Sequence, residues 1–256
     1  MKKPQDLHRE QIKQEVLYNY PYHYIPVLNP NQRLFSQVQL INWGYEYLSY
    51  LSFIIDRLKH YKFKSLLDVG CGDGRFIYEL EKEFTDKEII GIDFSARAIQ
   101  MARCMCPQGH FICGDITDPE VMKREFDVIT LIETLEHIPP RMIDAFIEAI
   151  YQRVSEGGMF VLSVPTKNIK TSKKHFQHFD IEGLEHMLNP MFKIERCYYT
   201  NKKSYLVRRL RKLLHNKYFI FVNEWACWKL YKIYKAYFFH ANESNAKRII
   251  LFCLRT

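Results

Sequence analysis

The stretch "VITLIETLEHIPP", residues 128–140, begins as an apolar strand and ends in Glu133, Glu136 and His137. Two carboxylates and an imidazole put acid, base and metal-ligand chemistry in one short segment. If the chain turns helically after the strand, positions i, i+3 and i+4 bring the three side chains to one side. Carboxylates converging there repel unless protons or a cation intervene, and an oxygen-preferring divalent ion, Mg2+ or Mn2+, would resolve the conflict. A second group of candidates, "VPTKNIKTSKKHFQHFD", follows the next strand and should overhang the same sheet edge, bringing His175 and His178 near. The candidate metal ligands are Glu133, Glu136, His137 and His178. The candidate catalytic residues are His137, His178 and Glu133, and His175 is a candidate substrate contact. The plainer alternative is a surface loop whose histidines are solvated.

A glycine-rich turn supplies the other chemistry. "LLDVGCGDGRF" places Gly70, Gly72 and Gly74 where a strand passes into a helix, so the backbone can turn tightly and approach a ligand that a Cβ would hold off. Asp93 ends "EIIGID" about 20 residues further on, placed to accept hydrogen bonds from ribose hydroxyls. Asp115 ends "HFICGD" and can accept from an adenine amino group. A Gly-rich turn alone would also suit a nicotinamide-binding domain.

The order of motifs narrows that choice. D-x-G-C-G-x-G, G-I-D-x-S, G-D, F-D-V-I and a G-G turn before the fifth strand, over residues 65–165, closely resemble class I S-adenosylmethionine-dependent methyltransferases. The resemblance implies that Asp68, Gly70, Cys71, Gly72, Asp93, Phe94 and Asp115 line S-adenosylmethionine, with Ile116 and Ile132 flanking its adenine or methionine. E-x-x-E-H with a later histidine resembles two subfamilies, the ubiquinone-biosynthesis O-methyltransferases and the enzymes that methylate the terminal ribose 2′-hydroxyl of small RNAs. Both are understood as divalent-metal enzymes acting on adjacent hydroxyls. A metal lowers the pKa of a bound hydroxyl and a neighbouring histidine takes the proton. The residues around His178 depart from the RNA enzymes' pattern. L-E-H also occurs in methyltransferases with no established metal, where it orders the loop or binds substrate. The expected function is O-methylation of a bacterial-style glycan, lipid-linked sugar or small metabolite. An RNA 3′-terminal ribose and a catalytically silent scaffold are the alternatives.

These residues need a particular frame. Apolar runs alternate with helical patterns from residue 65 onward, which predicts an α/β fold with a mostly parallel sheet covered on both faces. With the resemblance, this becomes a Rossmann-like three-layer sandwich of seven strands whose last strand is antiparallel. "SARAIQMARCM" reads as a helix capped by Ser95, and "RMIDAFIEAIYQRV" as a helix ended by Gly157 and Gly158. Residues 1–63 are expected as an N-terminal helical lid, in which Tyr22 and His23 would face substrate. Residues 64–256 form the methyltransferase domain, with a helical insertion at about 202–246.

Composition bounds the rest. The chain of 256 residues is 47% hydrophobic, which is globular and suits one sizeable domain with additions. Seven scattered cysteines, none spaced C-x-x-C, fit reduced thiols in a cytoplasmic protein. Neither a secretory signal nor a spanning apolar run is evident. Residues 201–256 carry 13 Lys and Arg against 2 acids, a net +11, so the rest of the +8 chain sums to −3. "SYLVRRLRKLLHNKYF" reads as a basic amphipathic helix, and "EWACWKLYKIYKAYFF" adds tryptophans and lysines. The readings are a helical cap packed on the core, a peripheral contact at the inner membrane surface, and nucleic-acid binding as the least favoured. The sequence leaves the oligomeric state open.

Overall fold

The computed structural model describes residues 28–29, 34–35, 41–214 and 223–256. Tyr22 and His23 lie outside them. The chain divides into two compact units, one formed by the described residues of Tyr61–Tyr198 with Arg248–Thr256, the other by those of His23–His60 with Tyr199–Lys247.

In chain order the first unit contains β3 (Ser65–Val69), α2 (Arg75–Glu83), β4 (Glu88–Asp93), α3 (Ala96–Met105), β5 (His110–Cys113), β6 (Phe126–Ile132), α4 (Ile143–Tyr151), β7 (Val154–Pro165) and α5 (Ile181–Leu188). Strands β8 (Phe192–Lys202) and β9 (Ala246–Arg255) complete a seven-stranded sheet of order β5-β4-β3-β6-β7-β9-β8. The pairs β3–β4, β4–β5, β3–β6 and β6–β7 are parallel and β7–β9 is antiparallel, so the expected class of sheet is the one observed.

Burial explains the strands. Residues 159–165 of β7 are buried without a break, as a central strand covered on both faces must be. Ile143, Phe146, Ile147 and Ile150 recur at helical spacing and form the buried stripe of α4. Ser95 caps α3, its side chain accepting from the Ala98 backbone N–H, and Asp180 caps α5 through Gly183.

The sheet order also locates a crevice. The chain lays down β3, β4 and β5 in one direction, then returns to place β6 on the other side of β3. Ligands of open α/β sheets collect beyond the carboxyl ends of strands at such a reversal. The glycine turn follows β3 and the Glu133 segment follows β6, so both overhang it.

One boundary differs from expectation. Helix α4 stops at Tyr151, and Gly157 and Gly158 lie inside β7. Arg153 ends the helix, its guanidinium donating to the carbonyls of Ala149, Met122 and Asp118. Gly157 takes a left-handed φ of 67° where the β6–β7 register shifts, so the pair marks a bulge rather than a helix stop.

The second unit holds the short strands β1 (Leu28–Asn29) and β2 (Leu34–Phe35), then α1 (Ile41–Leu58), α6 (Tyr205–Leu214) and α7 (Glu224–Tyr237). Helix α1, expected as part of a lid, thus shares a unit with the helices of the 202–246 insertion. Tyr45 stacks on Tyr234 at 6.3 Å, and the Tyr234 hydroxyl accepts from Asn201 Nδ2 at 2.8 Å. Replacing Ser95 by alanine should cost about 1 kcal/mol through loss of the α3 cap. Urea unfolding followed by circular dichroism measures it, and an unchanged midpoint would show that the cap contributes nothing.

Candidate functional site

The turn after β3 is built on hydrogen bonds to its neighbour strand. Gly70 and Cys71 N–H groups both donate to the Ile92 carbonyl, at 2.8 and 3.1 Å. The Asp93 carboxylate accepts from Gly72 N–H and from Ser95 N–H, each at 2.9 Å, which fixes it at the carboxyl end of β4. Asp68 is buried beneath the turn and accepts from Thr130 Oγ1 at 2.7 Å across the register pair Asp68↔Thr130. Burial raises its pKa to about 7. Asp115 Oδ1 accepts from both the N–H and the hydroxyl of Thr117, forming a turn after β5. Cys71 and Ile116 are buried, Ile132 is half-buried, and Phe94 is exposed. Asp68, Gly70, Cys71, Gly72, Asp93, Phe94, Asp115, Ile116 and Ile132 therefore sit at the carboxyl ends of β3–β6 or in the turns that follow.

The two loops over the crevice touch. Gly70 has φ 73°, and a Cβ there would lie 2.4 Å from Thr134 Oγ1. Thr134 is the residue between Glu133 and the 3-10 turn Leu135–His137.

The acid-acid-histidine segment is arranged differently from the helical expectation. Glu133 adopts a left-handed φ of 51°, and the helical turn begins only at Leu135. Its carboxylate is thereby turned to Ser163 Oγ at 2.9 Å and to Arg248 Nη2 at 2.8 Å. Glu136 is instead buried at 1% exposure, and its Oε2 has no hydrogen-bond partner among the described residues. Burial, and then the charge of Glu133, push the Glu136 carboxyl well above the ordinary carboxylate range.

The segment after β7 is pinned over this turn. Phe176 N–H donates to the Glu136 carbonyl at 2.9 Å, while Thr166 and Phe179 form a parallel bridge in which Lys167 N–H donates to the Phe179 carbonyl. The ligand atoms of Glu136, His137 and His175 lie within 4.8 Å of one another, a cluster that can hold a metal ion. In place of the expected quartet, Glu133 is held by its serine and arginine, and His178 lies behind His175.

Hydrogen bonding fixes the histidine tautomers. His137 Nδ1 lies 3.0 Å from the Lys174 carbonyl and His178 Nδ1 lies 3.1 Å from the Ile169 carbonyl. A carbonyl only accepts, so both Nδ1 atoms carry the hydrogen. With its hydrogen on Nδ1, His178 accepts at Nε2 from His175 Nδ1–H, at 2.8 Å. Both His137 and His175 are left with a lone pair on Nε2. Burial lowers the His137 pKa to about 4 and, with the neighbouring His137, that of His175 to about 3, so both are neutral at pH 7.

Sequence reasoning did not find Ser163 or Arg248. Arg248 is 115 positions from Glu133 and reaches it because β9 lies beside β7, with Pro165↔Arg248 in register. No local pattern marks that contact.

Comparison with known proteins fits this geometry. The family model described as "Methyltransferase domain" matches residues 34–216. The chain belongs to that family. The ubiquinone biosynthesis O-methyltransferase of Azoarcus sp. (strain BH72) is 30% identical over 131 residues, 49% of this chain and 52% of that protein. Its namesake from Coxiella burnetii (strain Dugway 5J108-111) is 30% identical over 132 residues, 50% and 53%. The chain thus spans about half the length of the curated relatives it matches. Magnesium protoporphyrin IX methyltransferase from Synechocystis PCC 6803, solved with bound S-adenosylmethionine, superposes with TM-score 0.61 at 14% identity, covering 99% of this chain and 100% of that one. An S-adenosylmethionine-dependent methyltransferase from Archaeoglobus fulgidus gives 0.55 at 16%, covering 83% and 98%. The fold is that of class I S-adenosylmethionine-dependent methyltransferases.

Two measurements test the site's construction. Gly70→Ala should lose roughly 2 kcal/mol or more, from left-handed strain plus the Thr134 contact. Adding Thr134→Ala should restore only part of this, and full recovery in urea unfolding would show that φ carries no cost. The histidines give a pH dependence with a definite sign. Their folded pKa values lie below the ordinary 6.5, so the unfolded chain binds protons that the folded chain refuses. Their contribution is complete above about pH 6.5 and falls as pH drops towards 4, by on the order of 2 kcal/mol once solvent access to His175 is discounted. Thermal melts from pH 7 to 4 should flatten in His137→Gln and His175→Gln, and an unaltered slope would contradict the burial argument.

Proposed function

We propose that the chain is an S-adenosylmethionine-dependent O-methyltransferase, assisted by Mg2+ or Mn2+, that acts on a hydroxyl of a glycan, a lipid-linked sugar or a small metabolite. The observation that carries this reading is the buried Glu136 Oε2, without a hydrogen-bond partner among the described residues, in a cluster with His137 and His175, whose Nε2 atoms carry no hydrogen. A carboxylate so placed needs a proton or a cation, and an oxygen with two nitrogens is a donor set that divalent ions accept. The ubiquinone-biosynthesis relatives, named as O-methyltransferases, support a hydroxyl acceptor.

The methyl donor would lie along the turn after β3, with the Asp93 carboxylate accepting from its ribose hydroxyls and Asp115 near its adenine. Gly70, packed against Thr134, and Gly72, whose N–H donates to Asp93, shape that turn. Transfer is an in-line displacement: the acceptor oxygen forms a bond to the methyl carbon, the carbon–sulfur bond breaks, and the hydroxyl proton leaves to a base. Glu136, His137 and His175 would hold the ion, which supplies Lewis-acid polarisation of the acceptor hydroxyl. Glu133, tethered by Ser163 and Arg248, adds negative charge beside the cluster. His178 fixes the ring of His175 in the tautomer that presents a lone pair.

A metal-free reading has its own support, since a neutral histidine with an open Nε2 is also a general base. Chelation separates the two. Under the metal reading, activity towards catechol and sugar hydroxyls, followed by mass spectrometry, disappears after chelator treatment and returns with Mg2+ or Mn2+. Mn2+ binding by calorimetry should weaken about 10–100-fold in His178→Ala and vanish in Glu136→Gln. A rate indifferent to chelator, together with no measurable Mn2+ binding, would remove the ion and leave the histidine base.

A further inference from the structure

Large apolar side chains exposed to water are few among the described residues, and they are not scattered. Tyr205, Leu206, Trp225, Ile233 and Tyr237 are five of the six, at 68, 66, 65, 49 and 71% exposure. All five lie on α6 and α7. The sixth, Phe94, follows β4 next to Asp93.

Folding does not require this face of α7. The helix already buries Cys227, Trp228, Tyr231 and Tyr234, the stripe that packs within its own unit. Tyr45 meets two of these rings, Tyr231 and Tyr234, both at 6.3 Å. At 100° per residue, Trp225, Lys229, Lys232, Ile233 and Tyr237 fall on the opposite side, and all five are exposed. A helix with one apolar stripe buried and a second exposed has a surplus beyond what stability asks for.

The charges on that side are of one sign. Lys229 lies over the Trp225 ring at 5.2 Å and Arg209 lies over the Tyr205 ring at 5.2 Å. Residues 201–240 contain Glu224 as their single acid. Long cationic stems lying on aromatic rings are the arrangement found where apolar surface enters hydrocarbon and charge stays at the headgroups.

We infer that the exposed faces of α6 and α7 dock onto the surface of an anionic phospholipid bilayer. Trp225, Ile233, Tyr237, Tyr205 and Leu206 enter the headgroup boundary, while Lys229, Lys232, Arg208 and Arg209 meet lipid phosphates. The aliphatic members favour lipid over single-stranded nucleic acid, because Ile233 and Leu206 offer no ring for a base to stack on. The contact lies at the surface, since no described helix is long and apolar enough to cross a membrane. It stands independently of the acceptor and of the metal.

The test is flotation of the full chain with phosphatidylglycerol-containing vesicles and with pure phosphatidylcholine vesicles. Binding should require the anionic lipid, weaken with salt and shift tryptophan emission to the blue. Lys229→Gln and Lys232→Gln should each lower partitioning about fivefold. Trp225→Ser combined with Ile233→Ser and Tyr237→Ser should abolish the emission shift, with circular dichroism confirming an unchanged fold. The inference is overturned if neither vesicle binds, if both bind equally, if the serine variant binds as well as the parent, or if single-stranded RNA displaces the protein from vesicles.

Discussion

Burying the Glu136 carboxylate is the constraint around which the crevice is organised. A carboxylate out of contact with water costs several kcal/mol unless it is protonated, hydrogen-bonded or paired, and here one oxygen lacks a hydrogen-bond partner among the described residues. Its neighbours do not relieve the cost by donating. His137 and His175 spend their Nδ1 hydrogens on the Lys174 carbonyl and on His178, and their Nε2 atoms carry only lone pairs. Arg248 is paired with Glu133. A stability-optimised core would not hold acceptors this way, so the arrangement costs the folded state something that a bound cation would return.

The same constraint ties the turn after β3 to the acid cluster. Gly70 packs where a Cβ would strike Thr134, and Thr134 is wedged between the left-handed Glu133 and the turn that carries Glu136. Interiors packed at this density transmit displacement rather than absorb it. A shift of the turn after β3 therefore reaches Glu136 through one side chain. Methyl transfer demands that donor and acceptor be placed to within a fraction of an ångström, and a direct contact between the two loops meets that demand more economically than separate supports.

Local chemistry made much of the fold legible in the sequence. Ser95 announced its helix because a cap is written within four residues, and Gly70 and Gly72 announced the tight turn after β3 because its glycine motif is contiguous. The errors arose where the answer is non-local or conformational. Glu133 was placed on a helical face by spacing, yet its φ of 51° turns it away, and a glutamate gives no signal of a left-handed backbone. His175 and His178 both looked able to reach the cluster. Only the carbonyl behind His178 decides which ring presents its lone pair, and that carbonyl, of Ile169, has no sequence signature. Gly157 and Gly158 read as a helix stop because a bulge and a cap use the same residue type, and the side chain of Arg153 ends the helix earlier.

The aromatic residues of the insertion show the complementary limit. Periodicity showed that α6 is amphipathic, but over α7 the sequence offered tryptophans and lysines among tyrosines and could not count stripes. Helix α7 has two, and composition alone blends them into one aromatic-rich segment. Burial separates them: Tyr231 and Tyr234 are inside, whereas Trp225 and Tyr237 are outside, although all four are aromatic and within 13 positions. A residue type therefore fixes what a side chain can gain from leaving water, and the neighbours fix whether the fold already supplies that gain. Where the fold supplies none, as on the Trp225 face, the gain is still available to an external surface, and the lysines beside it select for one that is negatively charged.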